Sequence, residues 1–231
     1  MNITFILAAL IGTVYPLYFV LTYRKINSNI RADGRFRLAD YKQTIFIFWL
    51  ITGLILLNSI SDNGFGLNFY PHFNTAAIVL SVLVAAFVLF QARQSKVTAE
   101  TAPLVRDKMK DIYHYLPKSK KELRWFSWLS LSAGVCEEII FRLFLFTFLL
   151  EHTHISIAFV LTNIIFAITH IGSGRQNLIT SFILGLLLSA IYYFTDNIWI
   201  AIVLHAAIDI NAGMLGYSLS RFEHLGHKNP A

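Results

Sequence analysis

The sequence predicts an all-α fold, a polytopic transmembrane helical bundle of about seven spans, on three observations. Hydrophobic residues make up 56% of the 231 positions and charged ones only 14%, against roughly 25% charge in a soluble globular domain. The apolar residues gather in runs near the ~20 residues that a bilayer crossing needs. Those runs lack the period-two alternation of barrel strands, and in hydrocarbon every backbone amide must find its partner internally, which leaves helices. An ordinary soluble enzyme is excluded.

In chain order the runs fall at about 3–23, 44–60, 74–90, 126–150, 155–171, 178–195 and 198–219. The first lacks a positive leading region and exceeds the roughly 7 to 15 apolar residues of a signal-peptide core, so it reads as a retained span. The tail, 220–231, carries no lipidation signature. Lys and Arg number six in 24–43 and nine in 91–125, whereas 61–73, 151–154 and 195–197 have none. Arg175 lies in 172–177, and Arg221 and Lys228 in the tail. The alternation satisfies the positive-inside rule with the N-terminus outside and the C-terminus cytoplasmic. The expected organisation is an N-terminal membrane region, 1–125, containing the cytoplasmic polar segment 91–125. A second group of helices over 126–219 and a cytoplasmic tail over 220–231 follow. Within the polar segment, apolar Leu104, Met109 and Ile112 among Lys and Asp fit a short interfacial helix near 105–115; a solvated linker helix would show the same pattern.

The net charge of +6 is accounted for by these loops, and no nucleic-acid-binding motif accompanies it, so the expected surroundings are a lipid bilayer and no nucleic acid. Cys136 is the single cysteine, which rules out an intrachain disulfide and a Cys-x-x-Cys pair. It reads as packing.

The loops hold eighteen of the nineteen Lys and Arg residues, leaving Arg142 inside an apolar run with Glu137 and Glu138. Each such charge costs about 2.5 to 3.5 kcal/mol at mid-helix on insertion scales, so the cluster needs a reason. Glu138 and Arg142 are spaced i, i+4 and predict an ion pair. Glu137, about 100° round the helix, is left for another partner. Two further runs carry ionisable groups, His170 in one and His205 with Asp209, again i, i+4, in the other. Alone, either histidine would read as an interhelical hydrogen-bond partner; with two glutamates, a shared polar cavity offsets the burial of each. With these boundaries Glu137, His170 and His205 differ in depth by roughly 10 to 20 Å at 1.5 Å per residue. Convergence therefore needs tilted helices or different ends, and 171–177 is the weakest boundary. His72, His114, His152, His154, His224 and His227 fall in loops or the tail.

Glu137-Glu138-Ile139-Ile140-Phe141-Arg142 resembles the Glu-Glu-x-x-x-Arg signature of the CPBP family, the CAAX proteases and bacteriocin-processing enzymes, also called Abi. Phe166-x-x-x-His170 and His205-x-x-x-Asp209 match its Phe-x-x-x-His and His-x-x-x-Asn/Asp elements, in order and on separate spans. The resemblance covers about 126–212; Leu143 departs from the glycine that many members carry, which bears on helix packing.

The resemblance implies an intramembrane endopeptidase acting on a membrane-associated peptide or protein substrate, integral to a bacterial cell membrane. It makes Glu137 and His170 the holders of the attacking water and assigns His205 and Asp209 to the oxyanion, with Asp209 alternatively orienting the His205 ring. Glu138, Arg142 and Phe166 are expected to support the site. Glu137, His170 and His205 could also serve as three ligands of a divalent metal such as zinc, which leaves the glutamate and metallo types open. A noncatalytic bacteriocin-immunity or binding protein and an ion-coupled transporter are the alternatives; no inverted repeat supports the transporter.

Overall fold

The computed structural model describes residues 3–61 and 65–228, and every regular element among them is helical. Five helices are long and apolar enough to cross a membrane: α1 (Ile3–Ala32), α2 (Arg35–Ser59), α3 (Thr75–Gln94), α7 (Arg175–Thr195) and α8, whose apolar part is Ile198–Leu225. Between them lie α4 (Ala102–Met109), the long helix α5 through residues 120–152, and the short apolar α6 (Ile155–Thr169). All seven expected runs are thus helical, five of them with the length and composition of spans, as befits an integral membrane protein. The polar segment differs from expectation, since α4 ends at Met109 and 110–115 form turns.

Local chemistry sets the ends. Asn74 caps α3 by accepting from the Ala77 amide at 2.8 Å. Ser119 and Glu122 form a reciprocal capping box at the start of α5, which satisfies donors the first turn leaves orphaned. Glu122 also accepts from Arg37 at 2.9 Å, tying the start of α2 to the start of α5. Asp196, at φ 48°, closes α7 in a left-handed conformation. Pro16 has no amide to bond Gly12, and α1 answers with wider turns over Leu10–Val14, where the Tyr15 amide reaches Leu10.

The centre of the bundle is α5. Its segment Ile139–Phe146 also has wide, π-type turns, and all eight residues are buried. A helix buried on every side can only be the one its neighbours pack around. Earlier in α5 one face looks inward, and Gly134 brings it against α8. A Cβ on Gly134 would stand 2.7 Å from the Ala206 Cβ and 2.9 Å from its amide nitrogen. That close approach sets the two carboxylates of α5 beside the histidine of α8.

Candidate active site

Glu138 is fully buried and accepts two charge-assisted hydrogen bonds on Oε1, from Arg142 Nη1 at 2.9 Å and from His205 Nδ1 at 2.7 Å. The guanidinium of Arg142, itself without solvent contact, donates further to the Gly185 carbonyl at 3.1 Å and to Asn163 Oδ1 at 3.4 Å. Asn163 is held in turn by donating to Ser189 Oγ at 3.0 Å and to the Phe159 carbonyl at 2.8 Å. The ring of Phe166 lies 4.5 Å from the guanidinium carbon, and its centroid is 4.7 Å from that of His170 and 5.9 Å from that of His205. A buried ion pair offsets its desolvation only when such additional bonds are made, and here three helices supply them.

Because Nδ1 of His205 faces a carboxylate it must carry the proton of that bond, so the ring is fixed. Its Nε2 lies 3.5 Å from Glu137 Oε2 and 3.7 Å from Asp209 Oδ2. The partner on Nδ1 is Glu138, while Asp209, the alternative orienting partner expected from the resemblance, lies nearer Nε2. Asp209 sits on the other side of the ring, with its side chain 36% exposed.

α6 ends at Thr169, and His170 is its capping residue. The His170 Nδ1 is 3.0 Å from the Phe166 carbonyl and 3.1 Å from Thr169 Oγ1. Thr169 Oγ1 already donates to that carbonyl at 2.7 Å. A proton on Nδ1 satisfies the acceptor and leaves Nε2 as a free lone pair, the neutral tautomer suited to receive a proton.

Glu137, Phe166, His170, His205 and Asp209 all line one cavity of about 360 Å³. Its lining extends to Asn177 and the exposed Thr180. At the boundary 171–177 the chain leaves α6 at His170 through a single short turn, Ile171–Ser173. Glu138 does not line the cavity and works from behind it, bonded to His205. Leu143, where the resemblance leads one to expect glycine, is buried at 1% exposure inside the wide-turn segment, so the packing accommodates it.

Sequence reasoning missed Asn163 and Gly185, which hold Arg142, and Ser189, which holds Asn163. A signal for Asn163 existed, because it precedes Phe166 by three residues and His170 by seven and so shares their helix face. For Gly185 there was none: a Cβ there would meet Asn163 Oδ1 at 2.6 Å and Phe166 Cδ1 at 3.0 Å, a tertiary fact.

Among the described residues no three His, Cys, Asp or Glu side chains converge closely enough to hold a metal ion. The three expected ligands Glu137, His170 and His205 line one cavity but are not such a group.

Residues 119–211 match the family model described as type II CAAX prenyl endopeptidase, Rce1-like. The match contains every residue from the Glu137 pair to Asp209. No curated protein and no solved structure matches the chain.

Proposed function

We propose that the chain, residues 119–211 of which match the Rce1-like family model, is an intramembrane endopeptidase that hydrolyses membrane-associated peptides with water activated by Glu137 and His170. One observation carries the reading. A carboxylate and an imidazole with a free Nε2 face a single cavity inside an apolar bundle, beside a second imidazole whose ring is locked from behind.

Water between Glu137 and His170 gives one proton to the Glu137 carboxylate as its oxygen attacks the carbonyl carbon of the substrate; His170 Nε2 accepts its other hydrogen as a hydrogen bond. Negative charge gathers on the former carbonyl oxygen, where an Nε2–H of His205 donates to it. Preorganised donors of this kind are worth about 3 to 4 kcal/mol each. Asp209, 3.7 Å from that nitrogen, supports the positive charge on the ring. The proton on Glu137 then passes to the leaving nitrogen as the C–N bond breaks, giving a free amine and a carboxylic acid, whose remaining proton passes to His170 Nε2. Charge on Glu138 and Arg142 stays paired throughout. No step is routed through a metal.

The test is cleavage of a membrane-proximal peptide library in proteoliposomes by wild type, Glu137→Gln and His170→Ala. General-base catalysis contributes about 10² to 10⁴, so each change should cost a hundredfold or more. Equal cleavage by all three proteins defeats the assignment of roles, and no cleavage of any substrate by wild type favours a binding protein. Activity that survives a strong chelator is expected of a water held by side chains, whereas activity lost with the chelator and restored by zinc would return Glu137, His170 and His205 to the role of ligands.

A further inference from the structure

The two faces of α5 serve different spaces. Phe126, Leu129, Ala133 and Glu137 look toward the active-site cavity. The opposite face meets α2 in a separate groove of about 690 Å³ lined by Trp49, Trp125, Trp128, Leu131 and Val135, with Arg124 at its charged end. Its walls are almost wholly apolar, and Trp49 is fixed by donating from Nε1 to Ser132 Oγ across the helix pair at 3.1 Å. The surface beside the groove is equally apolar, with Phe46 67% and Leu50 52% exposed.

The charged end has a different character. Arg124 lines the groove there, and Lys42 Nζ lies 4.7 Å from the centroid of the ring of Trp125, the next lining residue. Neither cation forms an ion pair with any carboxylate among the described residues. Lys120 and Lys121 begin the same helix. An apolar channel that ends in two uncompensated cations, with tryptophan at the junction, has the layout of a membrane-interface site: aromatic rings at headgroup level and basic residues beyond them. We infer that this groove between α2 and α5 binds an anionic phospholipid, its acyl chain along Trp128, Leu131 and Val135 and its phosphate between Lys42 and Arg124. A peptide would bring backbone amides that these walls cannot pair, and a zwitterionic lipid would add a cation of its own beside the two already there. The proposal is independent of proteolysis, since none of these residues touches the active-site cavity.

Three of the four tryptophans, Trp49, Trp125 and Trp128, belong to this groove, so Trp199→Phe makes intrinsic fluorescence a reporter of it. In that background the full chain is placed in nanodiscs of phosphatidylcholine containing a small fraction of brominated phosphatidylglycerol or of brominated phosphatidylcholine. With about 1 kcal/mol for each basic residue near a headgroup, two of them give a preference on the order of tenfold or more. Brominated phosphatidylglycerol should therefore quench at a correspondingly lower mole fraction. Lys42→Gln with Arg124→Gln should abolish the difference, while Arg124→Lys should keep it. Lys108→Gln with Lys110→Gln, outside the groove, should also keep it, which separates a site from general charge attraction. Equal quenching by the two lipids in the otherwise unaltered protein overturns the inference. So does a preference that survives neutralising Lys42 and Arg124, or one that falls as far when Lys108 and Lys110 are neutralised. A groove variant that fails to assemble would be replaced by Arg124→Gln alone, for which the preference must fall by at least half on a logarithmic scale.

Discussion

Glu138 joins two charges that belong to different tasks, because the same oxygen takes a hydrogen bond from Arg142 and from His205. Removing either partner has distinguishable consequences. Arg142→Ala leaves a buried carboxylate uncompensated, which costs about 3 to 5 kcal/mol, so the variant should accumulate poorly and unfold well below wild type in detergent melts. If Arg142→Ala melts like wild type and loses only activity, the arginine belongs to the chemistry instead. Glu138→Gln keeps a carbonyl acceptor for His205 Nδ1 but no charge for Arg142. It should lose thermal stability as well as activity, and that activity loss should differ from Glu137→Gln, for which the fold persists. At this scale the sequence disclosed the Glu138–Arg142 pair, since i, i+4 spacing is a property of one helix. It could not disclose that Glu138 orients His205, because 67 residues separate them and the contact exists only after α5 and α8 pack.

Element geometry is governed by the close crossing of α5 and α8 at Gly134. Gly134→Ala would place a methyl group 2.7 Å from the Ala206 Cβ and 2.9 Å from backbone nitrogen, so the helices must separate. Overpacking of this kind costs about 1 to 3 kcal/mol. Gly134 lies one turn before Glu137, and Ala206 adjoins His205, so cleavage should fall about a hundredfold, as a displacement near 1 Å can cause. Ala206→Gly in the same chain should recover part of it; no recovery would show that the two positions act independently. A second element-scale effect sits in the connection to α5. Lys118 Nζ has no hydrogen-bond partner, and burial, reinforced by the Arg37 charge, lowers its ammonium to about 7. The unfolded chain would hold that proton up to about 10.4, so the folded protein binds fewer protons between these values. Stability should then rise as pH goes from about 7 toward 10 and stay penalised below 7. Lys118→Met should flatten melting temperature against pH over that window and raise it at pH 6; an unchanged slope would remove Lys118 as its source. The helices themselves were legible from apolar runs and spacing. The wide turns at Leu10–Val14 and Ile139–Phe146 were not, because apolar periodicity does not register one extra residue in a turn that is buried on all sides.

For the whole molecule the open quantity is which helices cross the bilayer. Five have the length and composition of spans, while α5 is long but charged at its middle and α6, over Ile155–Thr169, rises only about 22 Å at 1.5 Å per residue. Whether α5 and α6 form two spans or a re-entrant hairpin does not alter the parity of the chain, so locating the termini cannot decide it. The link between them can. The charges inside α5 are compensated within the bundle, by Arg142 against Glu138 and by the cavity around Glu137, which removes the main energetic objection to a crossing. Residues 120–152 would rise about 50 Å as a regular helix, more than the hydrocarbon core requires. We therefore expect Thr153 outside and Lys121 and Gln176 inside, in keeping with basic residues near the latter two and none in 151–154. All three positions are exposed, so single cysteines there, in a Cys136→Ser background, can be probed with a membrane-impermeant maleimide on intact cells. Thr153→Cys should react from outside, and Lys121→Cys and Gln176→Cys only after permeabilisation. Reaction of Thr153→Cys only after permeabilisation would make α5 and α6 a hairpin entering from the basic side. The bundle would then have five crossings, and the active-site cavity would hang in one leaflet instead of between two.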